Sequence, residues 1–134
     1  MGFKDISQIA GSAMAAQTVR MNTIASNLAN ANAVAGTEAD AYRARKPVFA
    51  AMVGDAGTAS VQVLDVVASS APLRRMPEPD NPLADADGMV FYANVNEVAE
   101  MADMMAASRA FETNVEVMGR IKSMQQSLIR MGES

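Results

Sequence analysis

The sequence predicts a mainly α fold with a small β insert: N- and C-terminal helices paired as a coiled coil, and a middle segment containing a β-hairpin. Three observations carry this. Apolar residues recur at steps of three and four through the last third of the chain. A weaker stripe of the same period runs through the N-terminal stretch. Between them, period-two alternation is punctuated by turn residues. The segments that follow are residues 1–33 for the N-terminal helix, 34–93 for an extended and β insert with a proline-rich part, and 94–134 for a long C-terminal helix pairing with the first.

Residues 5–31 read as the first helix. Asp5 stands where an N-cap is expected, with Gln8 at capping-box spacing. Ile6, Ile9, Met14, Met21, Ile24 and Leu28 mark its apolar stripe. Ala10, Met14, Gln17, Met21, Ile24 and Leu28 alternate steps of four and three, as in a coiled-coil seam. Gln17 is a polar interruption that either sets register or is tolerated. The stripe is narrow and its residues small, so such a helix has little stability alone in water. Asn27, Asn30 and Asn32 follow, interspersed with apolar residues. Asparagine ends helices well, and its amide can instead bond a neighbouring backbone where the helix stops.

Residues 42–52 are strand-like, with Pro47 confining them to an edge or a bend. Gly54-Asp55-Ala56-Gly57 is a turn. Residues 60–68 form the strongest strand pattern, with Val61, Val63 and Asp65 expected on one face and Gln62, Leu64 and Val66 on the other. The pair makes a hairpin, and Arg43, Arg45 and Lys46 read as its solvated edge. Pro72, Pro77, Pro79 and Pro82 make the next stretch extended and semi-rigid, unable to form a helix or a central strand. Asp85-Ala86-Asp87-Gly88 reads as a turn rather than a calcium loop, because the loop's first ligand position would fall on Leu83. A short strand is expected over residues 89–93.

The final helix is the organising element. Val98, Met101, Met105, Phe111, Val115, Met118, Met124 and Leu128 are its candidate seam. Asn94 and Glu97 have capping-box spacing, and Gly132 sits where a stop is expected. At 1.5 Å per residue this helix spans roughly 55 Å, more than the core of so small a protein. It needs a partner, in this chain or in others. Six of the twelve methionines lie in it. With the many alanines they suit either a bundle core or an adaptable binding surface.

Several function classes are excluded. The net charge of −4 is spread without a basic stripe, so phosphate backbones find no footprint. The chain has no histidine and no cysteine, which removes the usual nucleophilic triads and the thiolate and imidazole metal sites. No glycine-rich phosphate loop occurs. Asp85 with Asp87, and Glu112 with Glu116, are carboxylate pairs; the latter sits among Arg109 and Arg120 at the spacing of solvated helix pairs. No catalytic, cofactor or metal site is therefore expected. No apolar run reaches about 20 residues, and the N-terminus lacks a signal-peptide core.

Two stretches carry a resemblance. Residues 9–17, Ile-Ala-Gly-Ser-Ala-Met-Ala-Ala-Gln, followed by Asn27, Leu28 and Asn30, are similar to the N-terminal signature of bacterial flagellar rod and hook proteins. The segment with Pro79, Asn81 and Pro82, then Asn94, then the helix motif with Ser108, Arg109 and Asn114, resembles the proximal rod members of that family. Met89 stands where the family often has an aromatic residue, Ala93 where proline is common, and Phe111 where tyrosine is usual. The resemblance implies a structural subunit of the flagellar basal body, self-assembling with other rod proteins into the axial driveshaft. It implies export through the flagellar type III apparatus without a cleaved signal peptide, and residence in the rod within the periplasmic space. Implied partners are further copies of the chain, rod proteins of the FlgB, FlgF and FliE-like types, a distal rod protein and the export apparatus. It implies no cofactor, nucleic acid, small-molecule substrate or membrane insertion. The alternatives are another flagellar axial protein, of rod or hook, or a membrane-surface protein with amphipathic helices.

Overall fold

The computed structural model of the chain describes residues 2–133, apart from the side chain of Ala56. Met1 and Ser134, the ends of the first and last expected segments, lie outside the described residues. The element order is α1 (Phe3–Ala29), β1 (Val34–Ala35), β2 (Arg45–Val53), a 3-10 turn (Asp55–Gly57), β3 (Ala59–Ala68), β4 (Arg74–Pro77), β5 (Met89–Tyr92) and α2 (Glu97–Glu133). Two terminal helices flank small antiparallel sheets, as expected.

Helix boundaries differ from the sequence expectation in instructive ways. Gly2, not Asp5, is the N-cap of α1. Asp5 is the third helical residue and its Oδ2 accepts the Gly2 N–H at 3.0 Å, where a carboxylate also suits the helix dipole. The helix ends at Ala29, and Asn30 turns both its N–H and its Nδ2 back to the Ser26 carbonyl. Asn94 is not the cap of α2. Asn96 is: its Oδ1 accepts the Ala99 N–H at 3.1 Å. Gly132 does not stop α2, which runs on through it; a single glycine next to a chain end is tolerated in a helix.

β2 and β3 pair antiparallel as a hairpin. Register shifts between Val48 and Phe49, which pair with Asp65 and Val63, so Leu64 is an extra residue in β3. This bulge resets the alternation. Asp65 lands on the side of Gln62, and Val66 on the side of Val63, correcting the expected faces. The other sheet has the order β1-β5-β4. β1 and β4 have no period-two signal because each is so short. Pro77 fits because it ends an edge strand.

The helices run antiparallel. Ala31, just past the end of α1, packs with Ala93 and Val95, just before the start of α2, and the helices then lie side by side, with Arg20 3.7 Å from Asp103 and the Ser108 hydroxyl 3.7 Å from the Met21 sulfur. Ala10, Ala16, Thr23, Ile24 and Asn27 of α1 are buried, as are Glu100, Ala107 and Ile121 of α2. α2 is ten residues longer, and every described residue beyond Ile121 is exposed. The hairpin lies along α1, where Ser12 Oγ accepts the Val61 N–H. A second cluster, Ala31, Ala44, Ala93 and Val95 with Tyr42 against it, joins the inner ends of both helices to the insert.

Candidate assembly surface

Two asparagines hold the junction. Asn27, 1% exposed at the end of α1, accepts the Arg45 N–H through Oδ1 at 2.9 Å and donates from Nδ2 to the Arg45 carbonyl at 2.9 Å. One carboxamide thus replaces a neighbouring strand at the start of β2. The Tyr42 hydroxyl also donates to Asn27 Oδ1, at 2.8 Å, and lies 3.0 Å from Ser26 Oγ. From the other side, Asn94 Oδ1 accepts the Ala44 N–H at 2.7 Å and its Nδ2 donates to the Ala71 carbonyl at 2.9 Å. The Ala44 carbonyl takes the Ser69 N–H. Residues 44 and 45 therefore have their backbone groups met from α1, from the approach to α2 and from the insert. Arg43, expected as a solvated edge, clasps the Ser69 and Ala71 carbonyls and Glu38. Of the two readings open for the asparagine run, Asn27 takes the backbone-bonding one and Asn30 the helix-ending one.

The proline-rich loop is held as firmly. Glu78 accepts from the Tyr92 hydroxyl and from Asn81 Nδ2, and both bonds depress its pKa below the ordinary carboxylate value. Asp85 Oδ1 accepts the N–H groups of Asp87 and Met89, while Oδ2 pairs with Arg75 at 2.9 Å. The Met89 bond and then Arg75 hold its pKa down. Asp85-Ala86-Asp87-Gly88 closes as a turn, with Gly88 at φ +72° and its α-carbon facing Pro79. A Cβ at Gly88 would lie 3.2 Å from Pro79 Cβ, in a backbone region that side chains rarely adopt.

Ionised carboxylates stabilised in the fold contribute above their unfolded pKa and are lost as pH falls through the folded one. The loop is therefore expected to keep its Met89 and Glu78 amide protection at neutral pH and lose it below about pH 4. Amide exchange against pH checks this, and Glu78→Gln should blunt the Glu78 part of the loss.

The sequence-derived seam divides in two. Ile24 is buried; Ile6, Ile9, Met14, Met21 and Leu28 are half-buried; so are Phe111 and Met118. Val98, Met101, Met105, Val115, Met124 and Leu128 are exposed within the single chain. The residues that turn toward α1 are instead Glu100, Met104, Ala107, Phe111, Asn114, Met118 and Ile121, again at steps of four and three. Glu100 and Asn114 hid this register, since a search for apolar positions passes over them. Asn114 Nδ2 spends its bond on the Ala110 carbonyl. Gln17 Oε1 is buried without a hydrogen-bond partner among the described residues.

Of the remaining motif residues, Asn81 braces its loop by also accepting the Leu83 N–H. Pro79 packs under Gly88, Pro82 is exposed, Ser108 meets Met21, and Arg109 is exposed. Sequence reasoning missed Tyr42 and the Tyr92–Glu78 pair, whose bonds span 14–16 residues and leave no local pattern.

Most of the large apolar side chains lie outside the core. Among the described residues, four aliphatic side chains larger than alanine are buried, Ile24, Val90, Val95 and Ile121, against eighteen exposed large hydrophobic residues. A free globular domain reverses that balance. No helix among the described residues is long and apolar enough to cross a membrane, and no acidic cluster among them could hold a metal ion.

Comparison with known proteins gives concordant results. The family model described as flagella basal body rod protein matches residues 8–36, and that of the flagellar basal body rod FlgEFG protein C-terminal region matches residues 86–131. The chain is 46% identical over 134 residues to the flagellar basal-body rod protein FlgC of Escherichia coli, covering 99% of this chain and 100% of the relative. It is 46% identical over 135 residues to that of Salmonella typhimurium, with the same coverage. To FlgC of Agrobacterium fabrum it is 34% identical over 125 residues, 92% of this chain and 90% of the relative.

Proposed function

The chain belongs to the FlgC family of flagellar basal-body rod proteins, and from that premise we propose how its surface serves the rod. It is a structural component of the basal body and not an enzyme. It assembles with other rod and basal-body proteins. In the proposed reading it is a proximal rod subunit that packs through the exposed side of α2 and the outer faces of the insert, which carry eight and ten exposed large hydrophobic residues. One observation carries this: eighteen large hydrophobic side chains stand exposed around a core of alanines.

The finer reading has four parts. α1 and α2 form a coiled-coil pair, supported by the alternating steps of four and three on the side of α2 facing α1. Residues 1–33 and 94–134 act as the axial part and 34–93 as the insert, hinged at the clamp of Asn27 and Asn94. Partners include further copies of the chain and rod proteins of the FlgB, FlgF, FliE-like and distal types. The chain reaches the periplasmic rod through the flagellar export apparatus without a cleaved leader; a small alanine core suits a protein that must travel unfolded and gain stability on docking.

Deleting the gene tests the assignment. Cells are expected to lose filaments and swimming, since a missing inner segment leaves nothing for outer segments to build on, and the wild-type gene in trans should restore both. Normal swimming after a clean deletion would contradict it.

A further inference from the structure

Two exposed apolar patches lie on the same helix at opposite ends. Val98, Met101 and Met105, three and four residues apart near the start of α2, are 78%, 54% and 67% exposed. Met124 and Leu128, four apart beyond the last buried position, are 55% and 53% exposed. The patches are about 39 Å apart along a continuous helix, so neither can cover the other within one chain.

Their charges are opposite. Residues 97–106 contain Glu97, Glu100 and Asp103 and no basic residue. Residues 120–131 contain Arg120, Lys122 and Arg130 and no acidic one. Glu100 is buried, Asp103 is shared with Arg20, and Arg120 pairs with Glu116. Glu97, Lys122 and Arg130 form no ion pair among the described residues, and Asp103 keeps 56% of its side chain in solvent. The helix dipole accounts for Glu97 and Glu100 in the first turn and Arg130 in the last. It does not explain why an apolar patch accompanies each end.

We infer that the end of α2 of one copy docks on the start of α2 of a second copy, head to tail and parallel, with Met124 and Leu128 against Val98, Met101 and Met105. Opposite charges beside the two patches favour this order and disfavour start-to-start or end-to-end pairing. Such a contact is heterologous: each copy keeps one free patch, so the arrangement propagates. The inference rests on the rod reading and adds which surface meets which.

The unsubstituted chain can be tested directly. Its lysines are Lys4, Lys46 and Lys122. Carbodiimide coupling of purified basal bodies should join Lys122 to Glu97 or Asp103. Within one chain those residues are roughly 28 Å or more apart, so such a link must join two copies. Basal bodies in which Lys122 links to neither residue would overturn the inference.

Cysteine pairs give a second reading, because the chain has no cysteine of its own. Oxidised basal bodies carrying Val98→Cys together with Met124→Cys should yield a ladder of multiples of 14.1 kDa. Chains with one substitution each, expressed together, should stop at the dimer. Either substitution alone giving the dimer, or the double variant staying monomeric, would overturn the contact. Met101→Cys with Leu128→Cys is the replicate pair. If the double variant restores swimming but does not cross-link, the rod assignment stands and another protein covers the patches. If the wild-type chain fails to restore swimming to a deletion strain, the rod assignment itself falls.

Discussion

Met105→Asp is expected to leave the free chain folded and to abolish swimming when it replaces the wild-type gene. Met105 is 67% exposed, so the free chain loses almost nothing when a carboxylate takes its place. A solvated substitution of this kind costs about 0.5 kcal/mol or less. In the assembled rod the same position is proposed to be covered, and an unpaired buried carboxylate then costs several kcal/mol or stays protonated. Every subunit carries the change, so the defect repeats at each contact. Val115→Asp should behave likewise, at 46% exposure. Ala107→Asp is the contrast, because Ala107 is fully buried beside α1 and the free chain should already lose helix. Glu112→Gln, on an exposed residue, should change neither reading. Circular dichroism of the free variants and swimming of the complemented strains separate the cases.

Asn27→Ala should destabilise the free chain by about 2–4 kcal/mol, because it strips hydrogen bonds from the Arg45 N–H, the Arg45 carbonyl and the Tyr42 hydroxyl at once. In a protein with so small a core that is a large fraction of its stability. The melting temperature should fall on the order of 10 °C. Asn27→Asp is the sharper probe. It keeps both bonds at Oδ1 but turns a second oxygen toward the Arg45 carbonyl, where Nδ2 had donated. It should therefore be nearly as damaging at neutral pH despite almost identical shape. Asn30→Ala, which loses only a bond to its own helix, should cost much less. Thermal melts of the three variants rank these effects.

Much of the fold was legible because helices and the hairpin write themselves in local periodicity. α2 follows from its apolar steps, and the hairpin from two alternating runs around Gly54 to Gly57. The bulge at Leu64 left only a faint mark, the adjacent apolar Val63 and Leu64 before Asp65, and a strict two-residue period run across them puts Asp65 and Val66 on the wrong faces. β1 and β4 were not legible, because they exist only with β5 between them. The two asparagine roles split the same way. Asn30 acts locally, four residues back, as helix chemistry predicts. Asn94 had the spacing of a cap but bonds Ala44, fifty residues earlier, and Asn96 caps in its place. For the assembly surface, the sequence located the apolar residues of α2 but not which of them serve the chain itself. That partition depends on where α1 lies, and α1 selects the side bearing Ala107 and Ile121.

The central claim is that the apolar residues left outside the single chain are covered only in the rod. A single Met105→Cys variant measures this directly, since the chain has no other thiol. Maleimide labelling should be rapid and complete in the free chain and at least tenfold slower in purified basal bodies of swimming cells. Equal labelling rates in the two states would contradict the account.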